Sequence, residues 1–216
     1  TRSFDCVLVT DVETGRVLYS VVKGTVGGHQ TDIEEAKYNK TRNFLATRSL
    51  DCVVVTDRET GQIHYKVVKG AEGGHQTDLY KAEFNKEGNF LITESSDRLL
   101  ITDVETGEIT CSVIKGVEGG HKTEIWPFGV KFNGAENFLI TQSSDCVLIT
   151  DIITGIGVKT GYSPCFRVLT GGNKIVFIDG GLRNCYGTEA TSTPQGPIIK
   201  IQVFEILPNN FMKTIG

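Results

Sequence analysis

Three histidines, His29, His75 and His121, each close a Gly-Gly-His phrase, and aspartates and cysteines recur at set distances from them. Imidazole, carboxylate and thiolate are the donors of zinc sites and of acid–base chemistry, so a reaction would be sought here first. The spacing argues against it. The histidines stand 46 residues apart, which makes them one position in successive copies of a unit rather than groups gathered round an ion. The aspartates Asp5, Asp51, Asp97 and Asp145, and likewise Asp11, Asp57, Asp103 and Asp151, repeat with them. A group kept in every copy serves the copy's shape, so no catalytic residue, metal or cofactor is expected. Nor is there a P-loop, GxSxG, HExxH or GxGxxG phrase.

Of the six cysteines, Cys6, Cys52 and Cys146 stand in one local phrase, Asp-Cys-Val, and none forms a CxxC pair. They read as a small apolar side chain inside a strand, with zinc or a disulfide as the alternatives. Reduced thiols favour an intracellular, cytoplasmic setting.

The elements that carry these residues follow from the repeat. Residues 3–24 and 49–70 share 15 of 22 identities, and the phrase returns from Ser95 and from Ser143. A period of 46 to 48 residues fits propeller blades or helical repeats. Short runs of Val, Leu and Ile ending in Thr (Asp5 to Thr10 and its copies) favour strands. Asp-x-x-Thr-Gly then supplies a hairpin turn, with a carboxylate to accept from backbone N–H groups and a glycine for positive φ. Val17 to Val22, Ala36 to Tyr38 and Phe44 to Thr47 complete four strands and no helix per copy. The reading is all-β: blades of four antiparallel strands at about 1–24 (partial), 25–70, 71–116 and 117–161. A divergent copy spans 162–216, with strands expected at Cys165–Thr170, Lys174–Asp179, Ile198–Ile206 and Phe211–Ile215.

The Gly-His dipeptides at Gly28-His29, Gly74-His75 and Gly120-His121, each followed by Thr-Asp at Thr56-Asp57, Thr102-Asp103 and Thr150-Asp151, resemble the WD-repeat β-propeller family. Threonine replaces the family's Trp. The resemblance implies a structural hydrogen-bonded tetrad in each blade. His29 with Thr47 and Asp51, His75 with Thr93 and Asp97, and His121 with Thr141 and Asp145 would supply three of its four members. It also implies a larger ring, most often seven-bladed. The chain opens in the third strand of a blade and holds about four and a half blades, so further blades or another chain are expected to close it.

Recognition is expected where otherwise similar copies differ. Glu34 corresponds to Tyr80 and Trp126, and Arg48 to Glu94 and Gln142. The third Gly-His copy is two residues longer and carries the lone Trp in Trp126-Pro127-Phe128, so Trp126, Tyr80, Phe128, Arg48, Glu94 and Gln142 are the candidate partner-binding residues. A net charge of −4 offers no basic surplus for nucleic acid or an anionic membrane, and no apolar run is long enough to span one. The function expected is a non-catalytic scaffold for a protein or peptide segment. The alternatives are a quinoprotein-like or hydrolase-like propeller enzyme with a central-channel site, and a structural part of a large assembly.

Overall fold

The computed structural model describes residues 5–126, 129–133 and 135–159 in full, and Thr160 and four later strands as backbone. Its strands run in chain order β1 (Cys6–Thr10), β2 (Val17–Val22), β3 (Glu35–Tyr38), β4 (Phe44–Arg48), β5 (Cys52–Asp57), β6 (Ile63–Val68), β7 (Leu79–Phe84), β8 (Phe90–Ser95) and β9 (Arg98–Asp103). They continue as β10 (Ile109–Ile114), β11 (Lys131–Phe132), β12 (Phe138–Gln142), β13 (Val147–Asp151), β14 (Gly157–Thr160), β15 (Phe166–Gly171), β16 (Lys174–Asp179), β17 (Lys200–Ile206) and β18 (Met212–Thr214). No helix occurs among the described residues.

Pairing follows the repeat. β1 and β2 form a two-stranded sheet, and β3–β6, β7–β10, β11–β14 and β15–β18 each form a four-stranded meander, antiparallel throughout. The architecture is thus all-β and blade-like, as the sequence implies. In the divergent last copy the expected strand positions lie within a residue or two of β15–β18, while the loop from Gly180 to Pro197 lies outside the described residues. The chain divides into two compact units, residues 1–114 and 115–216.

The Asp-x-x-Thr-Gly turn folds the same way in each copy. Asp57 Oδ1 accepts from the N–H of Thr60 at 2.7 Å and from its hydroxyl at 2.8 Å, while Gly61 N–H donates to Asp57 O at 2.9 Å. Gly61 closes the turn at φ 70°, a conformation costly for any residue with a Cβ. A register shift between Val55 and Thr56 lets β6 leave the turn with added twist.

In the first unit the sheets pack face on face. Phe44, Val53, Val55, Leu91 and Leu100, from the second and third sheets, share one apolar cluster with Leu79, Ala82 and Val104. Val7 of the first sheet packs with Ile33 and Leu45 of the second. The central strands carry nearly continuous apolar runs because both of their faces are covered: Val53, Val54 and Val55 are all but fully buried. Aromatics lock neighbouring sheets. Tyr19 packs against Gly61 of the next sheet, and Tyr65 against Gly107 of the one after.

Candidate functional site

The polar groups singled out by the repeat converge in the second, third and fourth sheets, in a network with one member more than the sequence reading assigned. His29 Nδ1 lies 2.6 Å from Ser49 Oγ, and Nε2 lies 2.8 Å from Thr47 Oγ1. Ser49 Oγ donates to Asp51 Oδ1 at 2.8 Å, and Asp51 also accepts from the N–H groups of Gln30 and Thr31 and from the Thr31 hydroxyl. The same chain links Thr93, His75, Ser95 and Asp97 at 2.8, 2.6 and 2.6 Å. It recurs through Thr141, His121, Ser143 and Asp145 at 2.7, 2.7 and 2.5 Å. His, Thr and Asp therefore do meet in each copy, but serine stands between imidazole and carboxylate. Ser49, Ser95 and Ser143 each recur two residues before the aspartate, and that spacing was the signal for them.

One proton arrangement satisfies every member. Serine gives its hydrogen to the carboxylate, neutral histidine donates from Nδ1 to serine, and Nε2 accepts from threonine. Burial favours that neutral imidazole, drawing His75 and His121 down to about 4 despite the carboxylates of Asp97 and Asp145. Burial pushes Asp51 upward, but donors from Thr31, Gln30 and Ser49 outweigh it and hold the carboxyl well below its ordinary range. A serine spent on a carboxylate, beside a histidine enclosed on both nitrogens, is no activated nucleophile.

The Thr of each Thr-Asp dipeptide does not take the place of the family's Trp in this network. Thr56 Oγ1 donates to Leu45 O at 3.4 Å, and the hydroxyls of Thr102 and Thr150 are buried without a partner. Register explains it: Thr47 lies opposite Val54, so Thr56 is two residues further along β5.

Cations reach the network by different routes. Arg98, on the third strand of its sheet, places Nε 2.7 Å from Asp97 Oδ2. Lys159, on the fourth strand of its sheet, places Nζ 3.0 Å from Asp145 Oδ2. Cys52 and Cys146 occupy the position of Arg98, with Sγ 3.3 Å from His29 Nδ1 and 3.2 Å from His121 Nδ1. Burial pushes the Cys52 thiol up to about 12, so it is no ready nucleophile. No disulfide joins Cys6, Cys52, Cys111 and Cys146.

The six residues expected to bind a partner divide sharply. Arg48, Glu94 and Gln142 are buried at 7, 1 and 8% exposure, which corrects the expectation that they face a partner. Arg48 is consumed internally: its Nη1 donates to Glu34 Oε2 at 2.7 Å and to Leu79 O at 2.9 Å, bridging the second and third sheets. Glu94 Oε1 pairs with Lys81 Nζ at 2.8 Å. Tyr80 and Trp126 are each half-buried, and Phe128 lies outside the described residues.

Tyr80 is the extra residue of a bulge: Leu79 pairs with Ser95 and Lys81 with Glu94, leaving Tyr80 between them. Glu34 and Trp126 hold the matching place, their N–H groups donating to Arg48 O and Gln142 O, both at 2.8 Å. A bulge leaves one residue unpaired in the ladder and re-aims its side chain. No protein-family model matches the chain, and no curated protein matches it.

Proposed function

We propose that this chain is a non-catalytic interaction scaffold of the WD-repeat β-propeller kind, which holds a protein or peptide segment through side chains at the Tyr80 bulge and at its counterpart positions in other copies. The observation that carries this reading is the contrast between two repeated positions. The hydrogen bonds that join His, Ser, Thr and Asp are the same in three copies. The Tyr80 bulge and its counterpart positions carry Glu34, Tyr80 and Trp126, three unlike side chains, all half-buried. Large amphipathic aromatics at such a place suit anchoring, because they bury area at little entropic cost.

Panning a displayed random-peptide library against the purified chain tests this. Peptides enriched on the wild type are expected to lose at least tenfold in affinity for Tyr80→Ala or for Trp126→Ala, each assayed by itself. Peptides that bind both variants as well as the wild type defeat the proposal.

A further inference from the structure

The three complete networks differ in how their aspartate is neutralised. Asp97 has Arg98 and Asp145 has Lys159, whereas Asp51 makes no ion pair among the described residues. Lys66 is the counterpart of Lys159, since it pairs with Val54 where Lys159 pairs with Leu148. Its ammonium goes instead to Gly27 O at 2.9 Å. In the second sheet a carboxylate therefore faces a histidine and a cysteine with no fixed cation on it.

The donors are close. One ligand atom from each of His29, Asp51 and Cys52 lies within 4.8 Å of the others. That separation suits three ligands at about 2.0–2.3 Å from a single zinc ion. His29 and Cys52 are buried, and half-buried Asp51 opens the set to solvent. The neighbouring hydrogen bonds also permit the required tautomer. Thr47 Oγ1 lies 3.3 Å from Val54 O. Threonine can thus give its hydrogen to that carbonyl and accept from a protonated Nε2, which leaves the Nδ1 lone pair to a metal once the Ser49 hydroxyl, 2.6 Å away, turns aside.

We propose that His29 Nδ1, Cys52 Sγ and an Asp51 carboxylate oxygen form a site for a zinc-like divalent cation in the second sheet, at the place where the third and fourth sheets use the charge of Arg98 and Lys159. Binding exchanges the S–H bond of Cys52 for a metal–sulfur bond and releases that proton to solvent. The Ser49 hydroxyl, beside both His29 and Asp51, is at hand for the fourth ligand position. His121, Asp145 and Cys146 offer the same donors, but Lys159 already occupies their carboxylate, so one such site is expected among the described residues.

Cobalt(II) titration of the metal-stripped chain reads the site directly, through the near-ultraviolet band of a cobalt–thiolate bond. One equivalent of cobalt is expected to bring up the band, and zinc to bleach it. Cys52→Arg should abolish it while keeping the wild-type circular dichroism, because the third copy already folds with arginine there. Cys146→Ala should leave it in place. No band in the wild type, or a band that survives Cys52→Arg at half its amplitude or more, overturns the proposal. Neither result bears on peptide binding.

Discussion

Gly107 lies under Tyr65 so closely that a Cβ built on it would stand 2.9 Å from the ring's Cγ. Tyr19 and Gly61 repeat the relationship one sheet earlier, at 2.5 Å. Each pair joins an outer strand of one sheet to the hairpin turn of the next. The turn glycine therefore answers to two demands, positive φ and absent volume.

Gly107→Ala and Gly61→Ala should each destabilise the first unit by about 2–4 kcal/mol, from backbone strain and overpacking together. Gly15→Ala, where nothing lies within 4 Å, should cost only about 1 kcal/mol from its φ of 69°. Urea midpoints of the three variants decide this, and equal losses would remove the tyrosine contact from the account.

The Tyr65 hydroxyl is buried without a partner. Tyr65→Phe should therefore leave the stability unchanged or raise it by up to about 1 kcal/mol, since a desolvated donor is removed and the ring stays. A loss above 1 kcal/mol in thermal or urea melts would contradict this.

Ser95 is the only link between His75 and Asp97 in their network. Ser95→Ala leaves the His75 Nδ1–H buried and unanswered, at a cost of about 1–3 kcal/mol. The exposed Ser112→Ala serves as the control, with an expected change within about 0.5 kcal/mol. Equal effects would make the network irrelevant to stability.

Acid sensitivity has a definite sign. Folded His75 and His121 hold their proton only below about 4, whereas the unfolded chain takes it near 6.5. Between those values the unfolded state binds more protons, so stability is intact above pH 6.5 and falls as the pH drops toward 4. Asp51, Asp97 and Asp145, all held below the ordinary carboxylate range, extend the loss below pH 4. Melting curves at pH 7.5, 5.5 and 4 should show a steady decline, and His75→Gln should flatten its upper part.

Asn39-Lys40-Thr41 reads as a glycosylation sequon, yet Asn39 is 2% exposed and its Nδ2 donates to Gly88 O at 2.7 Å. Its Oδ1 accepts from the N–H groups of Thr41 and Arg42. Expression through a secretory pathway should yield a chain without a glycan at Asn39 by mass spectrometry.

Much of this architecture is written in the sequence because duplication wrote it several times. Four copies of Asp-x-x-Thr-Gly fix the hairpins, and the apolar phrases before them fix the central strands. The network's threonine and aspartate were legible from the family resemblance, but its serine was not, since the family pattern draws attention to a tryptophan this chain lacks. The residues expected to meet a partner stood out only as variation. Sequence differences at 48, 94 and 142 look the same whether a side chain faces solvent or bridges two sheets; Arg48 does the second. Conversely, the bulge at Tyr80 depends on a register shift that no single residue announces.

Arg98 and Lys159 neutralise equivalent carboxylates from different strands of their sheets, which sets the smallest interchangeable piece of this protein. Moving β9 alone into the fourth sheet would bring arginine beside the resident lysine, two positive charges on one aspartate. Moving Cys146 with β13 into the third sheet would bring a cysteine in the arginine's place and no lysine beside it. Hairpins, not strands, are therefore the cassettes from which hybrid copies of this chain can be assembled.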